Sequence, residues 1–218
     1  MLSFLDWGST FRAKKASKPD GSEGPSQHPQ SQLPHLLRSA DAKRIFGTTL
    51  VDRAQLRKSV QLPEGEQLDD WIALYCVDFL NVMNLLYSLV YAKACTEESC
   101  PSMTAGPCYE YRWHEDGDRG RPVRLSAPRY IESLLEWAEQ QLSHASLPQN
   151  RKVCRAVVRR FYRLFAHIYH HHMDTALEFG ATTHLNTCFW HFYYFVREFN
   201  LISSKELEPL RGVAEVGA

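Results

Sequence analysis

The sequence predicts a mainly α-helical fold, a helical bundle with one small β-hairpin. Apolar residues recur at helical spacing in long segments that begin near residues 66, 127, 151 and 184. Only one segment, YEYRW at 109–113, clearly alternates as a strand does. Hydrophobic residues make up 44% of the 218, enough for an ordinary core, and this length fits one domain with a tail.

The N-terminal part is predicted to be a tail. Residues 1–35 are polar and rich in Pro, Ser, Gly and Gln, so they bury too little apolar surface to offset chain entropy. We therefore expect a disordered polar arm over 1–35 and a single helical domain over 36–218. A weak helical pattern covers 35–49, and 56–66 is interpreted as a short extended segment.

The remaining elements follow in order. Residues 66–94 form the first strong helix, and the strand at 109–113 pairs with a partner that begins at 123. Ser126 is a candidate N-cap for a helix that ends near Leu142, because Pro128 falls in its first turn. The segments predicted to complete the bundle are a long helix over 151–178, an aromatic helix over 184–202 and a last short helix that begins with SKELEPL, at residue 204.

Two cysteines and a run of histidines are candidate metal ligands. Cys95 and Cys100 lie five apart in CTEESC, and HIYHHH places His167 to His172 within the longest helical pattern. No secretory signal is visible, so we expect a reducing compartment and interpret the cysteines as metal ligands or core residues. Two thiolates and two imidazoles match the ligand preference of a structural zinc.

The second histidine ligand is ambiguous. Residues four apart share a helix face, which favours His167 with His171. His172 is five residues from His167 and diverges from it by about 140° on an ideal helix. A histidine run without metal is the alternative, and the cysteine spacing makes zinc the better interpretation.

A basic stripe precedes the histidines. Arg155, Arg159 and Arg163 are spaced four apart with Arg160 beside them, and no acidic residue interrupts this part of the chain. Clustered guanidinium groups suit phosphate or carboxylate capture, whereas the alternative is a solvated face paired with Glu on other helices. We favour phosphopeptide binding. Nucleic acid is the weaker interpretation, because the net charge is zero and the aromatic residues fall on the apolar face.

An acidic group marks the start of the first strong helix. Glu66, Asp69 and Asp70 surround Trp71, and they either cap the helix or form a docking surface. No glycine-rich phosphate loop, nucleophile elbow or kinase signature is present, so an enzyme has little support. A zinc-dependent hydrolase that uses the Cys/His cluster is kept as the alternative function.

Five blocks of sequence resemble the Mob/phocein family of kinase-binding adaptors. They are LPEGEQLDDWIALYCVDFLNVMNLLY, CTEESCPSMTAGPCYEYRW, LSAPRYIESLLEW, RLFAHIYHHHMD and HLNTCFWHFYYFVREFNLI, in order between about 56 and 210. LSAPRY, HFYYFVREF and KELEPL are similar to a less characterised subgroup of that family. Trp190 departs from the pattern, because a Lys is common there.

This resemblance implies a non-catalytic adaptor with a structural zinc, and the matching ligands are Cys95, Cys100, His167 and His172. The family binds NDR/LATS-type kinases and promotes their active state. It also captures phosphorylated segments of upstream Hippo/MST-type kinases. The matching kinase-binding residues are Glu66, Asp70 and Trp71, and the matching phosphopeptide residues are Arg159, Arg160 and Arg163. Thr10 matches a threonine that is phosphorylated in some members, and Thr49 lies near a second.

The expected molecule is therefore a kinase co-activator in Hippo signalling. We expect it to be a monomer, without nucleic-acid binding or membrane insertion, since no apolar run is long enough to span a membrane. We expect it in the cytoplasm, with the nucleus as a second compartment.

Overall fold

The computed structural model describes residues 11–13, 31, 33–88, 93–114, 121–143 and 151–217. Within these ranges helices dominate, as the sequence predicts. The elements in chain order are β1 (Phe11–Ala13), α1 (Leu33–Leu37), α2 (Ala42–Gly47), α3 (Arg53–Ser59), α4 (Leu68–Leu86), β2 (Thr104–Ala105), β3 (Tyr109–Tyr111), α5 (Ala127–Leu142), α6 (Arg151–His171), α7 (Met173–Glu178), α8 (Thr182–Glu198), a 3-10 turn (Glu208–Leu210) and α9 (Arg211–Val216).

Helix α6 lies at the centre of the bundle. Fifteen of its 21 residues are buried, and it contacts α4, α5, α7 and strand β2. A helix buried on most sides has to satisfy or shield each polar side chain that it carries. The buried arginines and histidines of α6 therefore need hydrogen-bond or ring partners within the fold.

Aromatic rings fill the space between α4, α6 and α8. Phe79 of α4 packs edge-on against Phe192 of α8, with 5.0 Å between ring centroids, and Phe192 lies 5.3 Å from Phe165 of α6. Tyr75 of α4 stacks on Phe195 at 4.7 Å. Offset and edge-to-face pairs add attraction to the apolar burial, so these contacts bind the three long helices together.

The segment over 56–66 begins as a helix, and its interpretation as an extended segment is wrong. The carboxylate of Asp52 accepts hydrogen bonds from the backbone N–H groups of Ala54 and Gln55, at 2.8 and 3.4 Å, so it caps α3. Leu56 and Val60 are buried, and α3 packs on α8. The Asp52 cap lies four residues before the segment considered, so the extended interpretation missed it.

An arginine of α3 stacks on the unusual tryptophan of α8. The guanidinium of Arg53 lies 3.6 Å from the ring centroid of Trp190, donates to the hydroxyl of Tyr194 at 2.8 Å and donates to the carbonyl of Gly217. The indole N–H of Trp190 donates to the carbonyl of Phe46 at 2.9 Å. These contacts tie the end of the described chain to α2, α3 and α8.

The predicted hairpin is largely replaced by other pairings. Between the segments 109–113 and 123–127, the structure retains an isolated bridge, Trp113 with Val123. The segment after this bridge pairs elsewhere, because Leu125 O accepts from Met103 N and Ala127 N donates to Cys100 O. The sheet has the order β1-β3-β2, and both neighbours of β3 are antiparallel to it.

The predicted disordered arm over 1–35 falls mostly outside the described residues, and so its disorder stays a prediction. Its described parts are ordered elements, because 11–13 form β1 and Leu33 begins α1. The long helix predicted over 151–178 is divided into α6 and α7, and the helix predicted over 127–142 is found at those residues.

A buried asparagine joins α8 to α2 and α6. The amide nitrogen of Asn186 donates to the carbonyls of Ile45 and Thr48 at 2.7 and 3.0 Å. Its amide oxygen accepts from the hydroxyl of Tyr169 at 2.8 Å. Because Asn186 is fully buried, water cannot replace these partners.

We therefore expect Asn186→Leu to lower the free energy of unfolding by about 2–4 kcal/mol, since it leaves buried polar groups without partners. Urea denaturation measures the loss. The control is Asn84→Leu, because exposed Asn84 donates to Leu80 O within its own helix and its replacement should cost less than about 0.5 kcal/mol. Equal losses in the two variants would contradict this role of Asn186.

Candidate metal centre and the surfaces beside it

The end of α6 sets the geometry of the candidate metal centre. His172 has φ −134° and ψ 22°, which is outside the helical region, and Met173 begins α7 directly after it. The backbone N–H of His172 still donates to Ile168 O at 2.8 Å. This break changes the direction of the His172 side chain, and so the five-residue separation from His167 no longer makes the two rings diverge.

Four buried side chains meet at this break. Cys95 Sγ lies 3.5 Å from His167 Nε2, Cys100 Sγ lies 3.5 Å from His172 Nε2, and the two Nε2 atoms are 3.3 Å apart. The four donor atoms all lie within 4.8 Å of one another, and each residue is at most 4% exposed. The group could hold a metal ion.

A carbonyl orients one of the two candidate ligand histidines. Because the Thr104 carbonyl only accepts, His167 Nδ1 carries the proton and donates to it at 2.8 Å. The Nε2 lone pair of His167 therefore points to the candidate metal position. A partner of this kind fixes the tautomer and ring orientation of a metal ligand.

His171 binds the loop between β2 and β3 rather than the candidate metal position. Its Nε2 accepts from the backbone N–H of Gly106 at 3.2 Å and lies 3.0 Å from the hydroxyl oxygen of Thr104. Burial, followed by the nearby histidines, lowers the pKa of His171 to about 3, so the ring is neutral and can accept. Helix geometry alone favoured His171 as a ligand because it did not include the break at His172.

The two cysteines belong to a tight turn. Cys100 N donates to Thr96 O at 2.8 Å, and Ser99 Oγ bonds to Thr96 N at 2.9 Å and to Ala94 O at 2.8 Å. A hydrogen bond from the Cys95 thiol lowers the pKa of Cys100, and burial opposes this shift without cancelling it. The same bond, together with burial, raises the pKa of Cys95.

The other cysteines lie apart from this group. All six are free thiols; Cys76 and Cys154 are buried, Cys188 is half-buried and Cys108 is exposed. Cys76 and Cys154 lie on α4 and α6, where those helices pack together.

The arginines predicted to bind phosphopeptide lie on the same helix, N-terminal to the histidines. Arg160 and Arg163 are buried, so the alternative of a solvated face is wrong for these two positions. The guanidinium of Arg160 lies 3.9 Å from the centroid of Trp137, and Arg163 donates to the hydroxyl of Tyr130 at 2.8 Å. Arg159 is half-buried and forms an ion pair with Glu206 at 3.2 Å.

The predicted kinase surface lies at the start of α4. Glu66 and Asp70 are exposed, and Trp71 is half-buried, with its indole N–H donating to Val60 O at 3.1 Å. The face continues with apolar side chains, because Leu74 is 51% exposed and Val77 is exposed as well. Acidic and apolar groups therefore lie together on the outer side of this helix.

Of the two predicted phosphoacceptors, only Thr49 lies among the described residues. Thr10 lies outside the described residues. Thr49 is half-buried in the loop between α2 and α3, and its hydroxyl donates to Val51 O at 2.7 Å. Its phosphorylation stays a prediction.

Comparisons with known proteins agree with this architecture. The family model described as the Mob1/phocein family matches residues 47–210. The chain belongs to this family. It is 41% identical over 216 residues to MOB kinase activator 3C of Homo sapiens, which covers 94% of this chain and 92% of that protein.

Two further relatives are similar over almost their whole length. MOB kinase activator 3A of Homo sapiens is 41% identical over 212 residues, 93% of this chain and 90% of the relative. MOB kinase activator 3B of Mus musculus is 40% identical over the same fractions. Among the described residues, no helix of this Mob-family chain is both long and apolar enough to cross a membrane.

The two adjacent histidines provide a test of the metal centre. We expect His172→Ala, purified after loading with zinc, to hold less than one metal per chain and to melt about 5–15 °C lower, since a ligand is lost. His171→Ala loses loop hydrogen bonds but should retain one metal per chain. Metal analysis and thermal melting measure both effects. Full metal content in His172→Ala would contradict the ligand assignment.

Proposed function

We propose that this chain is a non-catalytic adaptor that binds NDR/LATS-type protein kinases and recognises phosphorylated segments of MST/Hippo-type kinases. The observation that carries the proposal is its match over almost its whole length to relatives named kinase activators. The structure adds physical support. The arginine cluster suited to phosphate lies on α6 and the acidic face lies on α4, and these two helices pack against each other.

The proposal includes zinc as a structural metal. In a tetrahedral site with Zn–S near 2.3 Å and Zn–N near 2.05 Å, two nitrogens lie about 3.3 Å apart, and sulfur and nitrogen about 3.6 Å. The His167–His172, Cys95–His167 and Cys100–His172 donor atoms are separated by 3.3, 3.5 and 3.5 Å, which fits those edges, and all four donors lie within 4.8 Å of one another. Zinc would contribute to folding energy by joining the 95–100 turn to the end of α6.

The alternative of a zinc-dependent hydrolase has less support. A catalytic zinc keeps one position for water, whereas here two thiols and two imidazoles supply the four ligands of a closed tetrahedral site. The other two histidines of the 167–172 run also have structural contacts: His171 binds the Gly106 loop, and His170 Nε2 donates to Pro209 O at 3.0 Å.

The proposed phosphopeptide site consists of Arg159, Arg160 and Arg163. Planar guanidinium groups bind phosphate in a bidentate manner, and their attraction is stronger where water is partly excluded. Burial of Arg160 and Arg163 beside aromatic rings restricts both side chains, so less conformational entropy is lost when a ligand binds.

The proposed kinase surface consists of Glu66, Asp70 and Trp71, extended by the exposed apolar side chains of Leu74 and Val77. This combination fits a basic amphipathic segment, whose apolar side contacts the helix while its cations approach the acidic groups. We place the adaptor in the cytoplasm and also the nucleus, where reducing conditions keep the zinc-binding thiols available.

The phosphopeptide site is tested by titrating the full chain with a phosphothreonine peptide from an MST/Hippo-type kinase. We expect Arg159→Ala to weaken binding by about tenfold or more, since a charge-assisted hydrogen bond is lost. The matched control is Arg155→Ala, an exposed arginine one turn earlier, which should change affinity less than about twofold. Equal affinities in all three proteins would contradict the assignment.

The kinase surface is tested with the regulatory segment of an NDR/LATS-type kinase. We expect Asp70→Lys to weaken binding by about tenfold at low salt and less at high salt, because it reverses a charge that attracts a basic partner. Glu178→Lys makes the same charge change at an exposed end of α7 and should retain affinity. Similar weakening in both variants would indicate general electrostatics instead of a surface on α4.

A further inference from the structure

Glu206 places a carboxylate against the arginine cluster. Its Oε1 lies 3.2 Å from Arg159 Nε, and the two side chains are only 25% and 29% exposed. Burial opposes the charged form of Arg163, but Tyr130, Tyr111 and, with the smallest contribution, Glu206 together raise the pKa of its guanidinium. An anion of the protein itself therefore lies within range of two arginines proposed to bind phosphate.

We propose that Glu206 is an internal competitor for this site, which makes the site selective for a dianionic phosphate over a carboxylate. This inference rests on the proposed phosphopeptide function and adds a specificity-determining residue to it. An incoming anion gains its contact with Arg159 by displacing or sharing the Glu206 carboxylate.

The carboxylate is held in place independently of Arg159. Its other oxygen, Oε2, accepts from Ser203 Oγ at 2.7 Å and from Ser203 N at 3.2 Å, while Glu206 N lies 3.4 Å from Ser203 Oγ. These reciprocal bonds form a capping box. Tyr162 of α6 donates to Leu207 O at 2.7 Å and fastens the same turn to the helix that carries the arginines.

Charge decides which ligand can displace Glu206. A carboxylate ligand replaces one monoanion with another at Arg159, so the exchange adds little electrostatic attraction. A phosphate carries about −1.5 to −2 charges at pH 7 and presents three acceptor oxygens, so it gains attraction from the arginines even beside Glu206. The second pKa of phosphate is about 6, so binding should strengthen as the pH rises through that value.

Glu206→Gln separates this role from the structural one. Glutamine retains the capping box, because Gln serves at the same position, while the negative charge is removed. The matched control is Glu208→Gln, since Glu208 pairs with Arg211 at 2.9 Å rather than with an arginine of α6. Thermal melting of each full-length variant checks that the fold is retained.

The experiment titrates wild type, Glu206→Gln and Glu208→Gln with three forms of one peptide, bearing phosphothreonine, glutamate or threonine at the same position. We expect Glu206→Gln to bind the phosphopeptide about three- to tenfold tighter and to gain binding to the glutamate form, as expected for removing a partly buried competing charge. Glu208→Gln should match wild type within about twofold.

The outcomes distinguish the two proposals. If wild type prefers the phosphopeptide, Arg159→Ala abolishes that preference and Glu206→Gln equals wild type or binds more weakly, the internal competitor is wrong and the phosphopeptide site stands. If neither wild type nor Glu206→Gln prefers phosphothreonine over threonine, the phosphopeptide function itself is wrong.

Discussion

The meeting of four donor side chains at the end of α6 is the constraint on which the surrounding structure depends. Their donor atoms lie within 4.8 Å of one another, although Cys95 and His167 are separated by 72 residues. Buried thiols and imidazoles are costly to leave without partners. Helix α6 ends at His171, and the non-helical φ of His172 accompanies an approach of the two Nε2 atoms to 3.3 Å. The same group joins the turn after α4 to the centre of the fold.

The positions of the arginines depend on the same helix, α6. Residues 159, 163 and 167 are spaced by four, so Arg159, Arg163 and the candidate ligand His167 share one side of α6. Arginine is suited to this position because its flat guanidinium stacks on aromatic rings, as Arg160 does on Trp137 at 3.9 Å. A lysine ammonium would be more strongly hydrated and harder to bury there. Anchoring of α6 at its C-terminal end thus also restricts the arginines.

The secondary structure was predicted correctly from the sequence where the apolar residues of a segment follow a single period. The helix over 127–142 was predicted with its observed bounds, because apolar spacing and Pro128 in the first turn agree; Ser126 occupies the N-cap position, but its side chain makes no capping hydrogen bond. It failed where distant segments compete for the same backbone groups. Leu125 and Ala127 bond to the segment containing Cys100 and Met103, which removes the predicted partner of the 109–113 strand.

The candidate site was predictable in composition but not in detail. Cys95, Cys100 and His167 were recognisable as candidate ligands, whereas His172 as a candidate required either the family resemblance or the backbone break. Burial of Arg160 and Arg163 depends on aromatic residues from other elements, which helical spacing does not reveal. Glu206 was not identified from the sequence, because its contact with Arg159 bridges 47 residues and forms only on folding.

Acidic and basic residues are segregated along the chain, and this segregation underlies the ion pairs and the exposed charges described above. The chain has a net charge of zero, yet α6 contains no acidic residue and the start of α4 contains two, Asp69 and Asp70. Folding brings opposite charges together only in part. Asp69 pairs with Arg151 at 2.6 Å, whereas Asp70 remains exposed on the outer side of α4. Because charges segregated along the chain cannot neutralise one another locally, tertiary contacts determine which are balanced internally and which remain available to a partner.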